Sequence, residues 1–202
     1  MTDGRSVCGV PPPVAQPLRL YLDQNYLSGF VKRKPAFAEL EPVLEAAVAA
    51  GAVVVPESPA HEAESAPRPD LPLLERLRSL SGGLRLPEPG RREREIERRL
   101  TDVLVTGYPD RTRRPSDTVD LRTLALALPH CDLITCDAHM LSVCRRARLD
   151  AFYGCELYSG RRPDVTRLTA RLAELTTPTH DWRRDGHAAR GRVGSERHLT
   201  TE

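Results

Sequence analysis

The apolar positions of this chain follow two rhythms that alternate along its length. Short compact runs, LRLYL at 18–22, AVVV at 52–55 and LIT at 133–135, have the length and aliphatic content of buried strands. Between them, apolar residues recur at three- and four-residue steps, the repeat of one helical face. Residues 36–50 place Phe37, Leu40, Val43, Leu44, Ala47 and Val48 on such a face, with Pro42 either kinking the helix or standing near its start, and Gly51 ending it. Residues 58–65 predict a short helix with Ser58 as N-cap and Pro59 at its first position. Further helices are expected over 71–80, closed by Gly82 and Gly83, and over 91–105, 117–128 and 137–146. Residues 84–87 and 150–153 read as extended, and 165–175 as a final helix with Val165, Leu168, Leu172 and Leu175 inward. Strands alternating with helices predict an α/β fold, an open and mainly parallel central sheet flanked by helices in three α/β/α layers.

Length and composition place limits on that picture. The chain has 202 residues, the size of one domain with tails. Residues 1–17 are Pro- and Gly-rich and predict an arm, 18–176 carry the periodic pattern, and 177–202 lose it and predict a tail. A hydrophobic content of 40% excludes a wholly disordered chain. The apolar runs fall far short of the roughly 20 residues a membrane-spanning helix needs, so no membrane partner is expected. Thirty basic residues stand against 28 acidic ones, so bulk charge names no partner. The first residues lack a basic stretch followed by an apolar one, and the five cysteines are odd in number. Both features point to reduced thiols in a cytoplasm. Cys131, Cys136, His139 and Cys144 have the spacing C-x4-C-x2-H-x4-C, which matches no common zinc pattern.

In an open α/β sheet, ligands bind beyond the carboxyl ends of the strands. The first predicted strand runs into Asp23, and the third ends just before Asp137. The second leads to a short helix bearing His61, Glu62 and Glu64, and the helix before the third strand carries Asp117 and Asp120. Each acid alone reads equally well as a cap: Asp117 as an N-cap with Asp120 three positions on, Asp137 at the start of its helix. Together they predict converging carboxylates, which repel unless a cation lies among them. Hard divalent ions with oxygen ligands, Mg2+ or Mn2+, satisfy such a cluster, and the set suits phosphodiester hydrolysis.

Four segments in order, YLDQN at 21–25, PESPAHEAES at 56–65, SDTVDLRTLALAL at 116–128 and CDLITCDAHML at 131–141, make residues 18–176 resemble the PIN domain, a family of small metal-dependent ribonucleases. The resemblance implies endonucleolytic cleavage of RNA with Mg2+ or Mn2+ as cofactor. By that correspondence the family's acids fall on Asp23, Glu64, Asp120 and Asp137, with Asp117 and Asp132 as further candidates for the last two and Glu62 for the second. It further implies that an antitoxin-like protein or a second copy of the chain are partners to consider, or that the domain is an inactive RNA- or protein-binding module. An Asp after the first strand also occurs in phosphatases of the haloacid dehalogenase type, but these place a second Asp where Asn25 stands.

Supporting roles follow from position. Asn25 is placed to bond a water or phosphate or to cap a helix, His61 to orient Glu64 or fill the core, and Thr135 to hold a water or occupy a β position. Residues 91–114 hold eight Arg against five acids. RREREIERR reads mostly as solvated i,i+4 pairs, whereas Arg111, Arg113 and Arg114, with Lys32, Arg33 and Lys34, are candidate phosphate contacts.

Overall fold

A computed structural model describes residues 16–66 and 72–177. The expected arm and tail lie almost wholly outside the described residues. In chain order the elements are β1 (Leu18–Tyr21), α1 (Gln24–Val31), α2 (Pro35–Ala49), β2 (Val53–Val54), α3 (Pro59–Ser65), α4 (Leu73–Ser81), α5 (Arg91–Gly107), α6 (Pro115–Ala127), β3 (Leu133–Cys136), α7 (Ala138–Arg146), α8 (Leu149–Tyr153), β4 (Glu156–Ser159) and α9 (Arg162–Thr176). The strands form one sheet in the order β2-β1-β3-β4 with every pairing parallel. The expected α/β/α architecture is therefore what the chain adopts.

Strand alternation divides the interior in two. Leu20 and Leu22 of the first strand segment, Leu133 and Tyr158 point to one side, against the buried faces of α1, α2, α4 and α9. Tyr21, Ile134, Cys136 and Leu157 point to the other, against α5, α6, α7 and α8. The four inward residues expected of α9 are all buried on the first side.

Three local expectations are corrected. The helix α1 follows directly on Asp23, where none was expected. Its eight residues are too few for a clear period, and Gly29 interrupts the apolar face. That glycine is required, since a Cβ on Gly29 would stand 2.6 Å from the Phe37 ring of α2. Residues 150–153 are helical within α8, and the strand comes after them as β4. Only Leu157 and Tyr158 are apolar in it, one for each layer, so no hydrophobic run announces it. Asp117 is not an N-cap: Arg114 occupies that place, and Asp117 is the third helical residue, its carboxylate accepting the Arg114 N–H at 2.8 Å. Pro42 sits inside α2, exposed to solvent, so the carbonyl it leaves unbonded faces water. At α4 the expected stop holds, with Gly82 in the left-handed region at φ 55°. Residues 84–87 are extended, and Arg85 bridges in parallel to Glu57.

Candidate active site

The chain leaves β1 towards β2 and leaves β3 towards β4, in opposite directions along the sheet. The gap between β1 and β3 is thus the topological switch point, where open parallel sheets bind their ligands. Asp23 follows β1 and Asp137 follows β3, one on each side of that gap.

Thr135 fastens the two strand ends together. Its hydroxyl donates to the Tyr21 carbonyl at 3.1 Å and accepts the Asp23 N–H at 2.6 Å. The Asn25 side-chain amide donates to Asp23 Oδ2 at 2.9 Å. These two residues therefore position Asp23. Asp137 caps α7, its Oδ1 accepting the Met140 N–H at 2.6 Å. Its expected capping role and its place at the pocket coexist.

A pocket opens at this point, lined by Asp23, Asp120 and Asp137, with Tyr21, Thr123, Thr135, Cys136 and Met140 among its walls. Carboxylates from two strand ends and from α6 thus share one cavity. Burial first, and then the charges of Asp137 and Asp23, push the Asp120 carboxyl up to about 7. Glu64, half-buried on α3, is likewise pushed up to about 7 by burial, then by Asp23 and Asp120. Burial also raises Asp23, with Asp137 adding to it and the Asn25 hydrogen bond opposing it. Glu64 lies outside the lining residues yet within the field of the pocket.

Asp117 has the opposite fate one turn earlier on α6. Both terminal nitrogens of Arg111 reach it, at 2.5 and 2.8 Å, and hold its carboxyl down at about 2. Arg111 is consumed by this fork and is not free to hold a phosphate. Asp132 and Glu62 are engaged in the same way. Asp132 stands at the amino end of β3, away from Asp137, and accepts the Arg19 N–H at 2.8 Å. Glu62 is exposed and pairs with Arg85 at 2.6 Å. His61 is buried, stacked on Tyr21, with Nε2 2.7 Å from the Leu22 carbonyl and Nδ1 3.1 Å from the Ser58 N–H. It ties the start of α3 to the end of β1, and burial lowers its pKa, favouring the neutral ring. Lys32, Arg33, Lys34, Arg113 and Arg114 are all exposed.

Thr123 was not anticipated from the sequence. Its hydroxyl is buried in the pocket wall with no hydrogen-bond partner among the described residues. Its signal was available: Thr123 follows Asp120 by three residues, so the two share a helical face.

The chemistry of this donor set fits a hard divalent cation. Its charged donors are all carboxylates, raised by burial first and then by one another, and an unpartnered hydroxyl lies beside them. As placed, no three His, Cys, Asp or Glu side chains among the described residues are close enough to hold one ion directly. The fit is thus of donor chemistry and field, with water completing the coordination as Mg2+ commonly requires. No family model, curated protein or solved structure matches this chain.

Proposed function

We propose that this protein is a Mg2+- or Mn2+-dependent endoribonuclease of the PIN type, hydrolysing RNA phosphodiester bonds at the switch-point pocket. The observation that carries the reading is the meeting of Asp23, Asp120 and Asp137, from three separate segments, in one pocket at the carboxyl edge of a parallel sheet. The order of the YLDQN, HEAES, SDTVD and CDLITCD segments supports the same family. Among the described residues no helix is long and apolar enough to cross a membrane.

Asp23, Asp120 and Asp137, with Glu64 at the margin, would hold the ion. Bound there, it would lower the pKa of water and offset negative charge on the scissile phosphate. The chain's own residues do the rest. Thr135 and Asn25 fix the Asp23 carboxylate in the gap between strands. His61 and Ser58 set the start of the helix that carries Glu64 against the end of β1. Without a cation the carboxyls of Asp120 and Glu64 are raised to about 7 by burial first and then by their acidic neighbours, so they would have to give up their protons before holding one.

The test is cleavage of end-labelled RNA in the presence of Mg2+ or Mn2+. Asp23→Asn keeps the side-chain size but removes the charge, and is expected to lower the rate by about a thousandfold, ~4 kcal/mol in barrier. Cleavage that survives this change, or that survives excess EDTA, would falsify the reading. A second reading, an inactive RNA-binding module of the same family, is favoured by the spacing of the acids within the pocket, no three of which are close enough among the described residues to hold one ion directly. RNA binding without cleavage in either metal would select it.

A further inference from the structure

A chain of phosphates approaching an acidic pocket is repelled unless cations flank it. The carboxyl edge supplies such cations in a turn that no motif in the sequence marks. The register pairs Cys136 of β3 with Ser159 of β4. The next residues, Asp137 and Gly160, are therefore neighbours across the sheet, about 5 Å apart by strand spacing. Arg161 and Arg162 follow immediately, both exposed, as N-cap and first residue of α9.

Neither guanidinium has a carboxylate partner among the described residues, although arginines farther along the same helix do. Arg167 pairs with Asp164 at 2.9 Å and Arg171 with Glu156 at 3.0 Å. Asp164, the acid in the first turn of α9, is engaged elsewhere: its Oδ2 accepts the Ser159 N–H at 3.0 Å and the Ser159 hydroxyl at 2.5 Å. What this turn offers to solvent is two exposed arginines, one and two residues beyond Gly160, neither paired with a described acid. On the other flank, Arg113 and Arg114 are exposed just before α6, the helix that carries Asp120, while Arg111 is held by Asp117.

We propose that Arg161 and Arg162 are phosphate contacts for an RNA strand that crosses the carboxyl edge from Arg113 and Arg114, over the Asp23–Asp120–Asp137 pocket, to the β4–α9 turn. This rests on the ribonuclease reading for its choice of polyanion. Binding alone, without cleavage, suffices to test it.

A fluorescent RNA oligonucleotide with 2′-O-methyl riboses, which cannot be attacked by its own hydroxyls, is titrated by anisotropy in EDTA over a range of NaCl concentrations. The Arg161→Ala/Arg162→Ala protein is expected to bind about tenfold more weakly, with a salt slope shallower by about 1.4, two contacts at ~0.7 each for a single strand. Arg161→Lys/Arg162→Lys keeps the charge and is expected to keep the slope. Arg94→Ala/Arg98→Ala removes the same charge from the exposed side of α5 and is expected to change binding by less than about twofold. Equal losses in the two alanine variants, unchanged binding in the first, or no oligonucleotide binding by the unaltered protein overturns the inference. The two readings fail separately. Cleavage with no binding difference leaves the nuclease and removes this surface; a binding difference without cleavage does the reverse.

Discussion

Charge is dense in two places on this molecule and is resolved in opposite ways. On α5, acids and arginines alternate at helical spacing and find one another. Arg98 bonds Glu95 and reaches Asp102 at 3.3 Å, Arg122 of α6 reaches Glu97 at 3.1 Å, and Glu93 accepts the Gly90 N–H at 2.7 Å while facing His130. At the carboxyl edge, Asp23, Asp120 and Glu64 are pushed above their ordinary values by burial first and by neighbouring carboxylates after it. The first arrangement is settled by itself in water. The second is settled only by protons or by a cation brought from outside, which is why the near-zero net charge of the chain says nothing about where a ligand binds.

The boundary between the two arrangements runs through α6, between Asp117 and Asp120, and the largest effect on the fold is expected there. Asp117 is buried, accepts the Arg114 N–H and is gripped by Arg111. Replacing it by alanine strands the guanidinium and opens the start of α6, at a cost of about 3 kcal/mol. Its low pKa makes this contribution present above the ordinary carboxyl range and lost as pH falls towards about 2. Chemical denaturation at pH 7 checks the magnitude. A loss as small as that of an exposed pair would erase the contrast between the two acids.

Next in size is the opposite pH dependence of the pocket. Asp120 and Glu64 have folded values near 7, above the values they regain on unfolding. Stability is therefore full at low pH and declines as pH rises from about 4 to about 7, because the unfolded chain gives up these protons first. Screening by water at this open pocket reduces the effect to about 1–2 kcal/mol for the pair. Asp120→Asn/Glu64→Gln is expected to remove the decline, so its advantage over the unaltered protein grows across that window and then levels. Parallel stability profiles for the two proteins would show that the pocket does not carry strain.

Mn2+ should reproduce part of that gain without mutation. Ligating carboxylates must lose their protons, so ion binding is weak at pH 5 and strengthens through neutrality. Melting in excess Mn2+ is expected to shift upward by about 1 kcal/mol equivalent at pH 8, and hardly at all at pH 5. The shift should vanish in Asp23→Asn. A shift of equal size in that variant would place the ion elsewhere.

Much of this contrast was legible in the sequence, and the exceptions have physical causes. The parallel α/β order followed from alternating rhythms, and the acids at 23, 120 and 137 from their places at strand ends and on a helix face. Two parts were hidden. The strand β4 contributes one side chain to each layer, and four residues with two polar members leave no periodic trace. The division of labour within pairs of acids was hidden as well. Asp117 is reached by Arg111 and Asp120 by no such cation among the described residues, while Asp132 and Asp137 stand at opposite ends of β3, the first on the Arg19 backbone and the second at the pocket. Spacing along the chain places a carboxylate on a face. It does not tell whether a cation from a loop will already be waiting there.

The smallest expected effect is the one that anchors the comparison. Arg98 bonds two acids on its own helix, at i−3 and i+4, and is more than half exposed. Pairs of this kind gain little in water, since hydration and side-chain freedom offset the attraction. Arg98→Ala should thus lower stability by no more than about 0.5 kcal/mol, and less in high salt. It should leave RNA cleavage unchanged, because the α5 face lies outside the pocket lining. Denaturation at low and high salt, with cleavage measured on the same preparation, checks both. A large loss of cleavage with stability intact would mean that the paired array on α5 also meets the substrate. The solvated face and the edge would then be one continuous surface rather than two regions with different fates.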